Sequence, residues 1–249
     1  MKTQIFQDIR QTLANNAEEK TIASAQKFFK ENINSYGVKI PVVHKISKEI
    51  YSSIKNYSKS EIFELCDELW VSDMWEETII ACDFSYFIHK QYEKNDLKIF
   101  HKWLKNNVSN WASCDGLCNH TIGTYLEMYP EKVEELKQWA KSNNSWERRG
   151  AAVSLIIPAR KGLFLNDILD IANILLLDKE DLVQKGYGWM LKAASMSETF
   201  VKGNEQIKQE HLKSVFDFVI KNKSVMPRTA LRYAIEKMPA NLKAEAMKK

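Results

Sequence analysis

The chain has 249 residues, 45 % of them hydrophobic and 27 % charged, with a net charge of +4 and an isoelectric point near 8.7. That length suits one large domain or two small ones with a sizeable core. The mild basicity permits a nucleic-acid partner without arguing for one, and no run is basic enough to be a disordered arm.

The four cysteines, Cys66, Cys82, Cys114 and Cys118, form no Cys-x-x-Cys pair, and reduced thiols in a cytosolic protein are the natural expectation. The N-terminus, from Met1 to Asp8, lacks the apolar core of a signal peptide. The greasiest run, Ile168 to Leu177, carries Asp170 and Asn173 and is too short to span a bilayer. A cytoplasmic protein with no membrane partner is expected.

Eight glycines and five prolines punctuate the chain, with no Asn-Gly or Asp-Gly hairpin signal and no convincing alternation. Amphipathic patterning near 3.6 residues dominates, so the fold class is all-α. The first helices are expected at Thr3–Ala14 and Ala17–Asn34. Gly37 then suits the position past a helix end, and Pro41 the first turn of the next helix, which reaches about Tyr57. Ser60 is expected to cap a helix ending near Trp70. Further helices are expected at Trp75–Gln91, Asp96–Asn106, Trp111–Met128, Pro130–Lys141, Trp146–Ala159, Leu165–Leu177, Leu182–Ala194, Ile207–Ile220, Pro227–Lys237 and Ala240–Met247.

The helix starts are periodic. Asp73, Ser109 or Asn110, Ser145 and Asp181 are good N-cap types. They precede Trp75, Trp111, Trp146 and Leu182, which follow one another at intervals of 36, 35 and 36 residues. The helices between them carry landmarks of their own at Trp70, Trp103 and Trp139. Two helices per mid-thirties unit is the signature of an α-solenoid. The expectation is a single HEAT-like repeat domain over 1–249, curved, with equivalent helices lining a concave basic groove.

Matching positions in such units fall along one band. Counted from each landmark, the fourth residue is Thr78, Cys114, Arg149 and Lys185, and the fifth is Ile79, Asp115, Gly150 and Gly186. Gly150 and Gly186 would let another backbone or a ligand approach closely. Trp111 and Asp115 lie one helical turn apart, as do Lys185 and Trp189. A carboxylate can stabilise an oxocarbenium ion and hold an attacking water. Indole faces attract cations and stack on sugars or bases. An Arg near a helix start can clamp a phosphate. Together these describe cleavage of a glycosidic bond beside a phosphodiester backbone.

Three windows carry a family resemblance: Asn110-Trp111-Ala-Ser-Cys-Asp115, Trp146-Glu-Arg-Arg149-Gly-Ala-Ala and Gln184-Lys185-Gly-Tyr-Gly-Trp189-Met-Leu. With Phe28 to Pro41 and Pro227-Arg-Thr-Ala-Leu-Arg-Tyr-Ala-Ile, the chain resembles the AlkD-like DNA alkylation repair enzymes, which are HEAT-like-repeat DNA glycosylases. The resemblance implies that Trp111 and Trp189 flank the deoxyribose of a lesion and that Asp115 is the catalytic carboxylate. Arg149 would hold the backbone nearby; the family motif Trp-x-x-Arg favours it over its neighbour Arg148. Phe28 stands where relatives can have Tyr, so a hydroxyl contact would be lost there. The implied substrates are duplex DNA carrying N3- or N7-alkylated purines, whose positive charge makes them leaving groups that need no general acid. The family also implies that the lesion is not drawn into a deep base pocket.

The candidate DNA-binding cations are Arg149, Arg148, Lys185 and Arg228, with Arg232 able to reach phosphate beside Arg228. Against these stand blander readings. Trp111, Trp146 and Trp189 suit core aromatics at helical spacing, and for Trp146 that reading is kept. Arg148, Arg149 and Lys185 suit an ordinary polar face. Cys114, Cys118 and His120 have poor zinc spacing and no fourth ligand nearby, and no Gly-rich phosphate loop is present. The expectation is therefore a monomeric alkylpurine DNA glycosylase without metal or organic cofactor. The rival is a non-catalytic solenoid that binds distorted DNA or a protein partner on the same surface.

Overall fold

The computed structural model describes residues 2–30, 32–196 and 205–248. Among the described residues the chain is all-helical, with one isolated backbone bridge, Asn34 to Met74, and no strand. It divides into two compact units, residues 1–117 and 118–249.

The first unit holds α1 (Lys2–Asn15), α2 (Glu19–Gln26), α3 (Ile40–Ile54), α4 (Lys59–Val71), α5 (Trp75–Phe87), α6 (Leu97–Asn106) and α7 (Trp111–Gly116). Helix α1 packs on α3, α3 on α5 and α5 on α7, while α4 lies against α5. Helix α3 takes Pro41 in its first turn as expected. Helix α4 starts two residues earlier than the Ser60 cap predicts. Ser58 is its cap, with Glu61 reaching back to complete a capping box. The aromatic landmarks of the first helices form the core: Trp70 and Trp103 are 2 % and 0 % exposed. Their rings stack at 6.4 Å. Burial obliges the Trp103 indole to find an acceptor, and it donates to Asp67 at 2.6 Å.

The expected Ala17–Asn34 helix stops at Gln26; Glu31 of that range lies outside the described residues. Tertiary partners override its helical pattern. The carbonyl of Asn34 accepts the backbone N–H of Trp75 at 2.8 Å. The fully buried Glu76 carboxylate takes the Ser35 hydroxyl at 2.8 Å and the backbone N–H groups of Tyr36, Gly37 and Val38 at 3.0, 2.9 and 2.9 Å. Next to it the equally buried Glu77 accepts from Arg10 Nε at 3.0 Å and the Tyr36 hydroxyl at 2.7 Å. Glu77 raises the Arg10 pKa. The Tyr36 pKa is raised as well, by burial first and by Glu77 second. Gly37 does not follow a helix end directly. It sits at φ +86° in this loop, and a Cβ there would lie 2.6 Å from Ile22 and 2.8 Å from the Glu18 carbonyl, so only glycine fits.

The second unit holds α8 (Gly123–Met128), α9 (Val133–Trp139), α10 (Ser145–Val153), α11 (Ile156–Arg160), α12 (Leu165–Ile174), α13 (Asp181–Ser195), α14 (Glu205–Asn222), α15 (Arg228–Ile235) and α16 (Ala240–Met247). Helices α9, α12 and α14 pack in succession in one layer and α10, α13 and α15 in another, with α9 against α10 and α12 against α13. This is the two-layer stacking of a helical-repeat protein. Two predicted helices are interrupted. The Trp111–Met128 run passes through a π-helical turn at Leu117–Ile122. The Trp146–Ala159 run breaks between Val153 and Ile156, because Pro158 has no N–H to give the Ser154 carbonyl. That carbonyl lies where a Cβ on Gly123 would meet it at 3.0 Å.

Candidate active site

The candidates of the first unit lie at the start of α7. Asn110 is the N-cap, and its side-chain oxygen accepts from the Ser113 N–H at 2.9 Å and the Ser113 hydroxyl at 3.1 Å. This settles the choice between Ser109 and Asn110, and it fixes where the helix begins. Trp111 is therefore the first helical residue. Its ring stacks on Phe29 at 5.5 Å with 22° between planes, and its Nε1 donates to the Phe28 carbonyl at 3.2 Å. Phe29 also meets Trp75 edge-on, at 5.1 Å and 76°. Trp111 is half-buried, so it is neither a core residue nor a loose surface one. Asp115, also half-buried, follows one α-helical turn later on the same face. A fixed aromatic face beside a carboxylate is what a developing cation needs.

The second unit supplies the other candidates. Asn144 caps α10 through the Trp146 N–H at 2.8 Å, so Ser145 is the first helical residue rather than the cap. Trp146 is half-buried, not core. The other landmarks in the first turns of second helices, Trp75, Trp111 and Leu182, share this partial exposure. The landmarks of the first helices, Trp70, Trp103 and Trp139, are all buried. The two sets of landmarks thus do different work: one fills the core, and the other marks helix starts near the surface.

The cations divide as well. Arg149 is 4 % exposed and donates to the Leu182 carbonyl. Its side chain runs across α13 at Gly186, where a Cβ would meet its Cγ at 3.4 Å. The close approach that Gly186 allows is therefore made by Arg149. Arg148 is held by Asp178 (Nε to Oδ2 2.6 Å) and gives Nη1 to the Ser142 and Asn143 carbonyls at 3.0 and 3.1 Å. Its guanidinium is used within its own unit. Lys185 pairs with Asp181 one turn earlier at 2.7 Å. Trp189 is half-buried and has no hydrogen bond or ring contact among the described residues. Arg228 and Arg232 are exposed one turn apart on α15, with Arg228 reaching the Met247 sulfur at 3.5 Å. Cys114 and Cys118, at the spacing weighed for zinc, are buried in the core.

Sequence spacing did not reveal Phe29 or the acidic pair Glu76 and Glu77. Phe29 is far from residue 111 along the chain, and no periodic signal links them. The acidic pair had a local signal: two carboxylates adjoin Trp75 in the first turn of a largely apolar helix, where burial demands donors from elsewhere.

The fold and site define a helical-repeat protein whose second helices present aromatic and charged residues near their N-termini. Residues 9–238 match the family of DNA alkylation repair enzymes. The chain belongs to that family. Its structure is similar to that of a chain described as "Predicted DNA alkylation repair enzyme from Enterococcus faecalis". The TM-score is 0.73 at 16 % identity, covering 90 % of this chain and 98 % of the other. No curated protein matches the sequence.

Proposed function

We propose that the protein is a DNA glycosylase that excises positively charged N3- and N7-alkylated purines from duplex DNA. The observation that carries this reading is the pairing on α7. An indole is locked by Phe29 and the Phe28 carbonyl, and a half-exposed carboxylate lies one turn away. Membership in the family of DNA alkylation repair enzymes supports the substrate class.

The chemistry follows from the substrate's charge. As the N-glycosidic bond breaks, its electron pair neutralises the cationic purine, which leaves without protonation. The positive charge passes to the deoxyribose ring, where Asp115 stabilises it and orients a water that adds to C1′. The proton lost from that water goes to the carboxylate or to solvent. Trp111 and Trp189 offer their faces to the same developing cation. Arg149, buried and oriented by the Leu182 carbonyl, acts near the DNA backbone, and exposed Arg228 and Arg232 contact phosphates. Lys185 reaches phosphate by exchanging its bond to Asp181. Arg148, committed to Asp178, is left to hold the fold.

The test is release of 7-methylguanine and 3-methyladenine from methylated duplex DNA. The wild-type protein releases them, and Asp115→Asn lowers the single-turnover rate at least about 100-fold, the scale of a lost electrostatic stabiliser, while binding the duplex as before. Equal release, or equal absence of release, by the two proteins sinks the catalytic assignment. Duplex binding without release supports the non-catalytic alternative.

A further inference from the structure

The cations assigned to DNA above, Arg149, Lys185, Arg228 and Arg232, all lie in the second unit. The first unit carries a charged pair that the proposed chemistry does not use. His44 on α3 places Nδ1 2.8 Å from Asp83 Oδ2 on α5. Their side chains are 47 % and 17 % exposed.

Contacts along the layer show where this pair sits. On one flank of α5, Thr78 lies 3.4 Å from Ser113 of α7, and a Cβ on Gly116 of α7 would meet Cys82 at 3.3 Å. On the other flank, Phe84 and Phe87 take the Tyr51 ring of α3 at 6.0 and 5.0 Å. Between these flanks α5 leaves Trp75, Ile79, Asp83 and Tyr86 half-exposed. Helix α7 leaves Trp111 and Asp115 half-exposed in the same register. The three helices open at Ile40, Trp75 and Trp111, at intervals of 35 and 36 residues. His44, Ile79 and Asp115 are thus the fifth residues of successive units and fall in one band. His44 stands two helices along from Asp115 on the same face.

The chemistry of the pair selects an acceptor as partner. The Asp83 carboxylate accepts from Nδ1–H, and His44 Nε2 has no hydrogen-bond partner among the described residues. Lys48, exposed one turn further along α3, has no ion pair among the described residues; its neighbour Lys45 is paired with Glu49 at 3.7 Å. A ring held between a carboxylate and a phosphate oxygen, both acceptors, carries a proton on each nitrogen and a full positive charge. The face of α3 then offers a phosphate two cations one turn apart.

We infer that His44, oriented by Asp83, and Lys48 hold the phosphate backbone of the duplex flanking the lesion. The inference rests on the proposed function for its partner, DNA, but not for any catalytic step. Neighbouring helices pack about 8–10 Å apart, which puts α3 roughly 16–20 Å from α7. The duplex rises about 3.4 Å per nucleotide of each strand. The phosphate held by α3 therefore lies about five nucleotides from the one at Trp111 and Asp115.

Salt dependence tests this without excision. The full chain binds a duplex carrying a central tetrahydrofuran abasic analogue, followed by anisotropy between about 50 and about 200 mM salt. His44→Gln and Lys48→Gln should each make the slope of log affinity against log salt shallower by about 0.9. The advantage of wild type over each variant then shrinks about threefold to fourfold across that range. His44→Arg restores the slope. Lys98→Gln, at an exposed position on α6 outside the α3–α5–α7 layer, leaves it as in wild type. Cutting the duplex to about three base pairs beyond the abasic analogue abolishes the effect of His44→Gln on one side only.

A pair that merely ties α3 to α5 gives a different result: His44→Gln lowers the Tm and the slope does not move. An unchanged slope in either glutamine variant overturns the inference, as does absence of duplex binding by wild type. The glycosylase reading is decided separately, by base release from methylated DNA and by Asp115→Asn.

Discussion

Replacing Glu76 should damage both stability and the platform beneath Trp111. The carboxylate is fully buried, and its Oε1 accepts from the Ser35 hydroxyl and the Gly37 and Val38 N–H groups, while Oε2 accepts from the Tyr36 N–H. Glu76→Ala leaves the buried Val38 donor with no acceptor and the Gly37 N–H with only the Ser35 hydroxyl at 2.9 Å. An unsatisfied buried donor costs about 1–3 kcal/mol, so together with the small cavity the change predicts a loss of about 3 kcal/mol. Glu76→Gln keeps a carbonyl oxygen for the three donors at Oε1 but turns an amide NH₂ towards the Tyr36 N–H. That single donor–donor clash predicts a loss of about 2 kcal/mol.

The same loop leads back to Phe29, whose ring supports Trp111. Both variants should therefore reduce 7-methylguanine release more than they reduce duplex binding. Urea unfolding gives the stabilities, and hydrogen exchange at residues 36–38 reports whether the loop has come loose. A Glu76→Ala protein within 1 kcal/mol of wild type, with residues 36–38 still protected, would falsify this account of the loop.

Two further changes test the packing of the second unit. A Cβ on Gly188 would meet Tyr233 Cβ at 2.7 Å and the Ala230 carbonyl at 2.8 Å, so Gly188→Ala must push α13 away from α15. It should cost about 2 kcal/mol. Gly186→Ala, whose closest new contact is Arg149 Cγ at 3.4 Å, should cost less than about 1 kcal/mol; thermal or urea unfolding of the two variants checks the order. Arg148→Met breaks a pair whose side chains are 17 % and 6 % exposed and should cost about 3 kcal/mol. The salt dependence of its duplex binding should match wild type, and a shallower slope would return Arg148 to the DNA-contacting set.

The helices, most of their boundaries and their pairing period were legible in the sequence because they rest on local patterning: apolar residues near a 3.6-residue repeat, a cap at Ser109 or Asn110, and Pro41 in a first turn. Trp111 and Asp115 share a helix face for the same reason, since four residues make about one turn whatever surrounds them. The tertiary structure decided the properties that depend on distant neighbours. Arg148 and Arg149 are adjacent in sequence, yet one is clamped by Asp178 and the other lies across Gly186. No local rule separates two arginines that differ only in the helix face they occupy and in what packs there. The end of α2 was equally hidden, because residues 34–38 give their backbone groups to Trp75 and Glu76, roughly forty residues away in sequence. A burial cost that only long-range donors could satisfy outweighed the local preference for helix.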